Sequence, residues 1–157
     1  MRKSVPTGRV CVFTSAGTNL IADLTGYFPA VSGYASLNPA RLLDSRPGSG
    51  TIDGQDAGAG LRAKGNITQL TVTGRAGIPA DASTVVLNVT VTAAVDAGFI
   101  TVYPCGAALP VASNLNYTVG ATVANAVVVK VGTGGQVCLF NSGATQLIAD
   151  TNGYTIN

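Results

Sequence analysis

Residues 84–92 read Thr84-Val85-Val86-Leu87-Asn88-Val89-Thr90-Val91-Thr92. From Leu87 onward every second side chain is aliphatic and the ones between are Asn or Thr, the two-residue period of a strand with one buried face. Similar stretches stand on either side: Ile67 to Thr73, Phe99 to Tyr103, Asn114 to Thr118 and Thr122 to Val131. Within the last of these, Ala126-Val127-Val128-Val129-Lys130-Val131 carries three consecutive valines and reads as a strand covered on both faces. Gly, Pro, Asn and Ser separate the stretches at short intervals, and no segment combines a helical period with caps. The expected fold is all-β, an antiparallel β-sandwich or a Greek-key, jelly-roll-like barrel. Pro47 to Lys64, rich in Gly, Asp and Ser, is expected to be a long loop and the flexible or ligand-facing region.

The chain also repeats itself. Residues 8–28, GRVCVFTSAGTNLIADLTGYF, recur at 135–155 as GQVCLFNSGATQLIADTNGYT, without gaps and with 12 of 21 positions identical. Each copy reads as two strands joined by a Ser/Gly/Ala/Thr turn, a β-hairpin. The expected organisation is therefore an N-terminal hairpin segment, residues 1–33, duplicating the C-terminal hairpin of a single β-domain at 34–157.

Composition narrows the chemistry. Charged residues are 10% of the 157, against roughly 25% in an ordinary soluble domain, so Thr, Ser, Asn and Gly must carry solubility. The chain has no His, no Glu and no Trp, and its seven carboxylates are Asp23, Asp44, Asp53, Asp56, Asp81, Asp96 and Asp150. Without an imidazole, Ser-His-Asp and Cys-His catalysis are excluded. Three cysteines fall one short of an all-thiolate zinc site, so no metal or other cofactor is expected. Asp53-Gly54-Gln55-Asp56 is too short for a calcium loop and reads as a surface turn. The net charge of +2 comes from scattered Lys and Arg, which disfavours a nucleic-acid partner. No uncharged apolar run is long enough to span a bilayer. Met1-Arg2-Lys3 resembles the start of a signal peptide, but Pro6, Gly8 and Arg9 interrupt any apolar core behind it.

Cys105 and Cys138 are natural partners within one unit, closing a loop of 33 residues in an oxidising compartment. Cys11 matches Cys138 in the duplicated segment. Its own partner would then belong to another unit, making it a candidate for an intermolecular bridge. The alternative is that all three are reduced, buried, small apolar side chains.

Several motifs together carry a resemblance: Ala40-Arg41-Leu42-Leu43-Asp44-Ser45-Arg46, Gly77-Ile78-Pro79-Ala80, Val85-Val86-Leu87-Asn88-Val89-Thr90, Ala112-Ser113-Asn114-Leu115-Asn116-Tyr117, and Leu147-Ile148-Ala149-Asp150 with Gly153-Tyr154. In this order they resemble a repeated β-rich module of secreted and cell-surface proteins of actinobacteria and related bacteria. The resemblance spans nearly the whole chain. It implies an extracellular or surface location and a repeat architecture, with no catalytic activity attached.

Arg41, Asp44 and Arg46 are the densest charged group. They read either as a ligand site built on Arg forks or as an ion-pair network anchoring a loop. Asp23 and Asp150 are expected to take backbone N–H groups at the ends of their hairpins. Tyr27, Tyr34, Tyr103, Tyr117 and Tyr154 read as core or interface anchors, or as the aromatic platform of a glycan site. Three functions follow. The first is a non-catalytic structural module that assembles with its own kind, as a homo-oligomer or as tandem units, through hairpin exchange. The second is a glycan-binding or adhesive module facing cell-surface glycans, and the third is a hydrolase working with paired Asp residues.

Overall fold

The computed structural model describes residues 10–21, 27–29 and 33–156. Eight strands build it: β1 (Tyr34–Asp44), β2 (Ile67–Thr71), β3 (Ala82–Thr92), β4 (Gly98–Pro104), β5 (Leu115–Tyr117), β6 (Val123–Lys130), β7 (Gln136–Asn141) and β8 (Gln146–Ile156). They form two antiparallel four-stranded sheets, ordered β1-β8-β3-β6 and β2-β7-β4-β5, packed face to face as a β-sandwich. The pairings nest: β1 with β8, β2 with β7, β3 with β6 and β4 with β5. Cross-pairs β3·β8 and β4·β7 then close each sheet. This is the jelly-roll arrangement, a long antiparallel ribbon rolled into two layers. The only helical element among the described residues is a 3₁₀ turn at Thr133–Gly135.

The alternation read in residues 84–92 positions the core. Val85, Leu87, Val89 and Val91 of β3 point between the sheets with Leu147 and Ala149 of β8. They meet Leu70, Ile100, Val137 and Leu139 from the opposing sheet. Each such aliphatic side chain contributes roughly 1.5–3 kcal/mol by leaving water. The intervening Asn88 and Thr90 face outward.

One expectation about strands changes, and one strand, β1, was not expected at all. The aliphatic run in β6 is covered on one face only: Val127 and Val129 are buried, while Val128 is 71% exposed. β6 is the edge strand of its sheet, and no strand of the described residues lies over its outer face. β1 carries no alternating pattern at all. Its register shifts between Ser36 and Ala40 and again between Arg41 and Leu43, so Leu42 and Leu43 are both buried in succession. Such bulges erase the two-residue period.

The N-terminal segment differs from its copy. Residues 135–155 form β7, the turn and β8, whose strands sit in the interior of both sheets. Residues 10–21 form no strand, and Val10, Phe13 and Ile21 are about nine-tenths exposed. Residues 1–9, 22–26 and 30–32 of the expected hairpin lie outside the described residues. Phe28 stacks on Tyr34 with ring centroids 4.2 Å apart.

Cys105 and Cys138 form a disulfide with Cα atoms 5.0 Å apart. It lies on the outer face of the second sheet, where Tyr103, Cys105 and Cys138 make a small cluster backed by Phe140. The bridge ties the segment leaving β4 onto β7. Gly132 permits the approach, since a Cβ there would meet backbone atoms of Pro104 and Cys105. Cys11 is free and exposed. Closing a 33-residue loop constrains the unfolded chain by roughly 3.5 kcal/mol. The double change Cys105→Ser, Cys138→Ser is expected to lower the melting temperature by about 10 °C without changing the circular dichroism of the native state, as checked by thermal melts.

Candidate functional site

Four charged residues gather where β1 ends beside β8. Arg41 and Asp150 are register partners in adjacent strands, so their side chains emerge on the same outer face. Arg41 Nε donates to Asp150 Oδ1 at 2.9 Å, and its Nη1 donates to Asp44 Oδ2 at 2.9 Å. Arg46 grips Asp44 from the other side, Nε to Oδ1 at 2.9 Å and Nη2 to Oδ2 at 2.7 Å. Its backbone N–H also donates to Asp44 Oδ1, at 3.2 Å. Asp44 is fully buried, and these hydrogen bonds from Arg46 hold its carboxyl below the usual aspartate range. The structure thus brings the three charged residues read from the sequence together and adds Asp150. That aspartate takes a guanidinium, where the sequence suggested backbone N–H groups. Asp23 lies outside the described residues.

A second cluster had no signature in the sequence. Arg75, in the turn between β2 and β3, has a side chain only 4% exposed. Its Nε and Nη2 donate to the two oxygens of Asp53 at 2.8 Å each, and Nη1 donates to Asp56 Oδ2 at 2.8 Å. Nη1 also reaches Thr71 O at 2.9 Å, and Nη2 reaches Leu42 O at 2.9 Å. All five guanidinium N–H groups therefore have acceptors, which is the condition for burying such a charge. The Asp53–Asp56 turn is a clasp on Arg75. Pro47 to Lys64 is accordingly not the free loop expected. Its backbone lies along the outer edge of β1, with Ile52 N–H donating to Arg41 O, Asp44 N–H to Asp56 O, and Gly58 N–H to Asp44 O.

Beside the first cluster lies a shallow depression of about 540 Å³, lined by Arg41, Asp150, Asn88, Asn152, Ala126 and Gly50 among others. Arg41, Asp150, Asn88 and Ala126 form one row across β1, β8, β3 and β6. The small Ala126 makes the hollow. The amides of Asn88 and Asn152 make no hydrogen bond to a described residue, so both donors and acceptors face solvent there. A hydroxyl-rich ligand suits such a row chemically. A second, apolar hollow of about 530 Å³ lies on the opposite sheet between Phe99, Phe140, Leu109 and Val111.

The tyrosines divide. Tyr103 and Tyr117 are buried, and Tyr117 Oη donates to Gly143 O at 2.8 Å; burial raises its phenol above the ordinary value. Tyr27 is exposed. Among the described residues no three His, Cys, Asp or Glu side chains are grouped so that they could hold a metal ion, and no helix is long and apolar enough to cross a membrane.

The Arg75 clasp makes stability depend on acid. Hydrogen bonding to Arg75 holds the Asp53 carboxyl down to about 2. The folded state therefore binds that proton less readily than the unfolded chain does. The contribution is complete above about pH 4 and is lost as pH falls toward 2. Asp44 acts in the same direction. Arg75→Leu is expected to cost on the order of 3 kcal/mol at pH 7, because it strands two carboxylates and two carbonyls. Arg75→Lys recovers little, since one ammonium cannot span those acceptors. In Asp53→Asn the loss of stability between pH 5 and pH 2 shrinks; urea titrations across that range check both expectations.

No protein-family model matches this chain, and neither the curated proteins nor the solved structures contain a significant match to it.

Proposed function

We propose that this chain is a non-catalytic structural module of a secreted or cell-surface protein, one unit of an array or fibre in which residues 8–28 close the sandwich of a neighbouring unit. One observation carries the reading. The segment repeated at 8–28 is the one that supplies β7 and β8, an interior strand to each sheet, yet residues 10–21 form no strand with any described residue and their apolar side chains lie in solvent. A sandwich that already holds 135–155 has no vacancy for a second copy. Strand insertion into another unit gives those residues backbone partners and a core, as in donor-strand complementation. The Cys105–Cys138 bridge suits an oxidising, extracytoplasmic setting. The resemblance to repeated modules of actinobacterial surface proteins points the same way. Asp44, Asp53, Asp56 and Asp150 are all engaged by arginines, which leaves few carboxylates for paired acid–base chemistry.

Complementation tests this. Residues 34–134, which lack β7 and β8, are mixed with synthetic peptides. Peptide 135–155 is expected to restore a cooperative melting transition, peptide 8–28 to do so at higher concentration, and a scrambled 8–28 to do nothing. If 8–28 behaves like the scrambled sequence, it is not a closing strand pair.

The depression at Arg41, Asp150, Asn88 and Asn152 favours a second reading, a glycan-binding surface on the same module. Binding to neutral or uronic sugars on an array is then expected, weakened at least tenfold by Asn88→Leu, which fills the hollow without touching the ion pairs. A folded protein that retains no sugar on the array rules it out.

A further inference from the structure

The two copies of the repeat are not interchangeable, and their differences fall where the sandwich is least forgiving. At identical positions the slot is satisfied by either: Val10 stands for Val137, Phe13 for Phe140, Ser15 for Ser142, Thr18 for Thr145, Leu20 for Leu147 and Ile21 for Ile148. Three of the differing positions are ones where the 135–155 copy is tightly held.

The first is Gly143, matched by Ala16. A Cβ at Gly143 would lie 2.7 Å from Ala97 O and 3.1 Å from Asp96 Cβ. The nearest obstacle is backbone in the β3–β4 turn, which cannot swing aside as a side chain would. Gly98 closes the same contact from the other side, its own Cβ position lying 2.8 Å from Gly143 N. Gly17 stands one place too late to help, and the ungapped match at Ser15 and Thr18 leaves no residue to slide.

The second is Asn141, fully buried and matched by Thr14. Its Nδ2 donates to Ala63 O at 2.7 Å and Gly143 O at 2.9 Å. A threonine hydroxyl carries one proton and can serve only one of these carbonyls, leaving the other buried and unpaired. The third is Leu139, fully buried and matched by Val12, one methylene short.

We infer that residues 8–28 are fitted to a related but non-identical sandwich, one with a roomier β3–β4 turn and a different loop ahead of β2, and that identical copies of this chain discriminate against exchanging the segment with each other. The inference rests on the reading of 8–28 as a closing strand pair and adds its partner: an unlike neighbouring module. Units in such an array join in a set order, each segment selecting its own acceptor.

The full-length chain tests it. The wild type and the triple variant Val12→Leu, Thr14→Asn, Ala16→Gly are unfolded, refolded at matched high concentrations and weighed by size exclusion with light scattering. The wild type is expected to refold as a monomer. The triple variant, whose segment now matches the slot at these positions, is expected to populate exchanged dimers or longer chains at least tenfold more. Equal exchange by both, or a triple variant that stays monomeric, overturns the selectivity. Gly143→Ala in the wild-type chain gives an independent arm: a clear fall in melting temperature is expected, and an unchanged one removes the steric basis of the proposal. Rescue by peptide 8–28 in the complementation experiment is judged separately, so exchange itself and its selectivity fail by different observations.

Discussion

One guanidinium organises the β1 side of the sandwich. Arg75 leaves the turn after β2, crosses under the edge of the other sheet and binds Leu42 O in β1, Thr71 O in β2, and both carboxylates of the Asp53–Asp56 turn. A charge buried to this degree is tolerable only when every N–H is met. The need for acceptors therefore dictates where the loop from Pro47 to Lys64 must lie. That loop in turn supplies the hydrogen bonds that the outer edge of β1 would otherwise offer to solvent. Edge strands with free backbone groups invite association. Here the same contact that satisfies a buried cation also closes the edge.

The Arg41–Asp44–Arg46–Asp150 network has a related logic. Asp44 is fully buried at the point where β1 gives way to the loop. Two arginines and a backbone N–H reach it, while Asp150 fixes the orientation of Arg41. Ser45 is likewise buried, its Oγ accepting from Leu147 N–H at 2.9 Å. All three residues of the trio are held in ion pairs where β1 passes into the loop. The row of Asn88 and Asn152 beside it is what remains chemically unspent.

How much of this was legible follows from how each feature is encoded. The β3 alternation and the jelly-roll class could be read because one buried face imposes a two-residue period. The disulfide could be read because a repeat marks which cysteine belongs to which unit. β1 could not, since two bulges scramble its periodicity and put Leu42 beside Leu43 in the core. The aliphatic run of β6 misled because Val128 borders solvent at a sheet edge, a fact of topology and not of composition. Arg75 was invisible because its acceptors lie up to 33 residues away in sequence, and nothing local distinguishes it from a turn arginine. Asp53-Gly54-Gln55-Asp56 read only as a surface turn, and nothing in its spacing pointed to Arg75 as its partner.

The pairing of β1 with β8 begins at Tyr34 and Thr155. The polypeptide thus enters and leaves the sandwich at adjacent positions on one end of one sheet. Tension applied along a string of such units would act across the β1–β8 ladder at its open end, breaking hydrogen bonds one after another instead of loading them together. Such unzipping geometry yields at low force. The Cys105–Cys138 bridge then sets the limit, because the 33 residues it encloses cannot be paid out while the bond holds. The module would thus yield early at the β1–β8 end, while the loop closed by the bridge stays short.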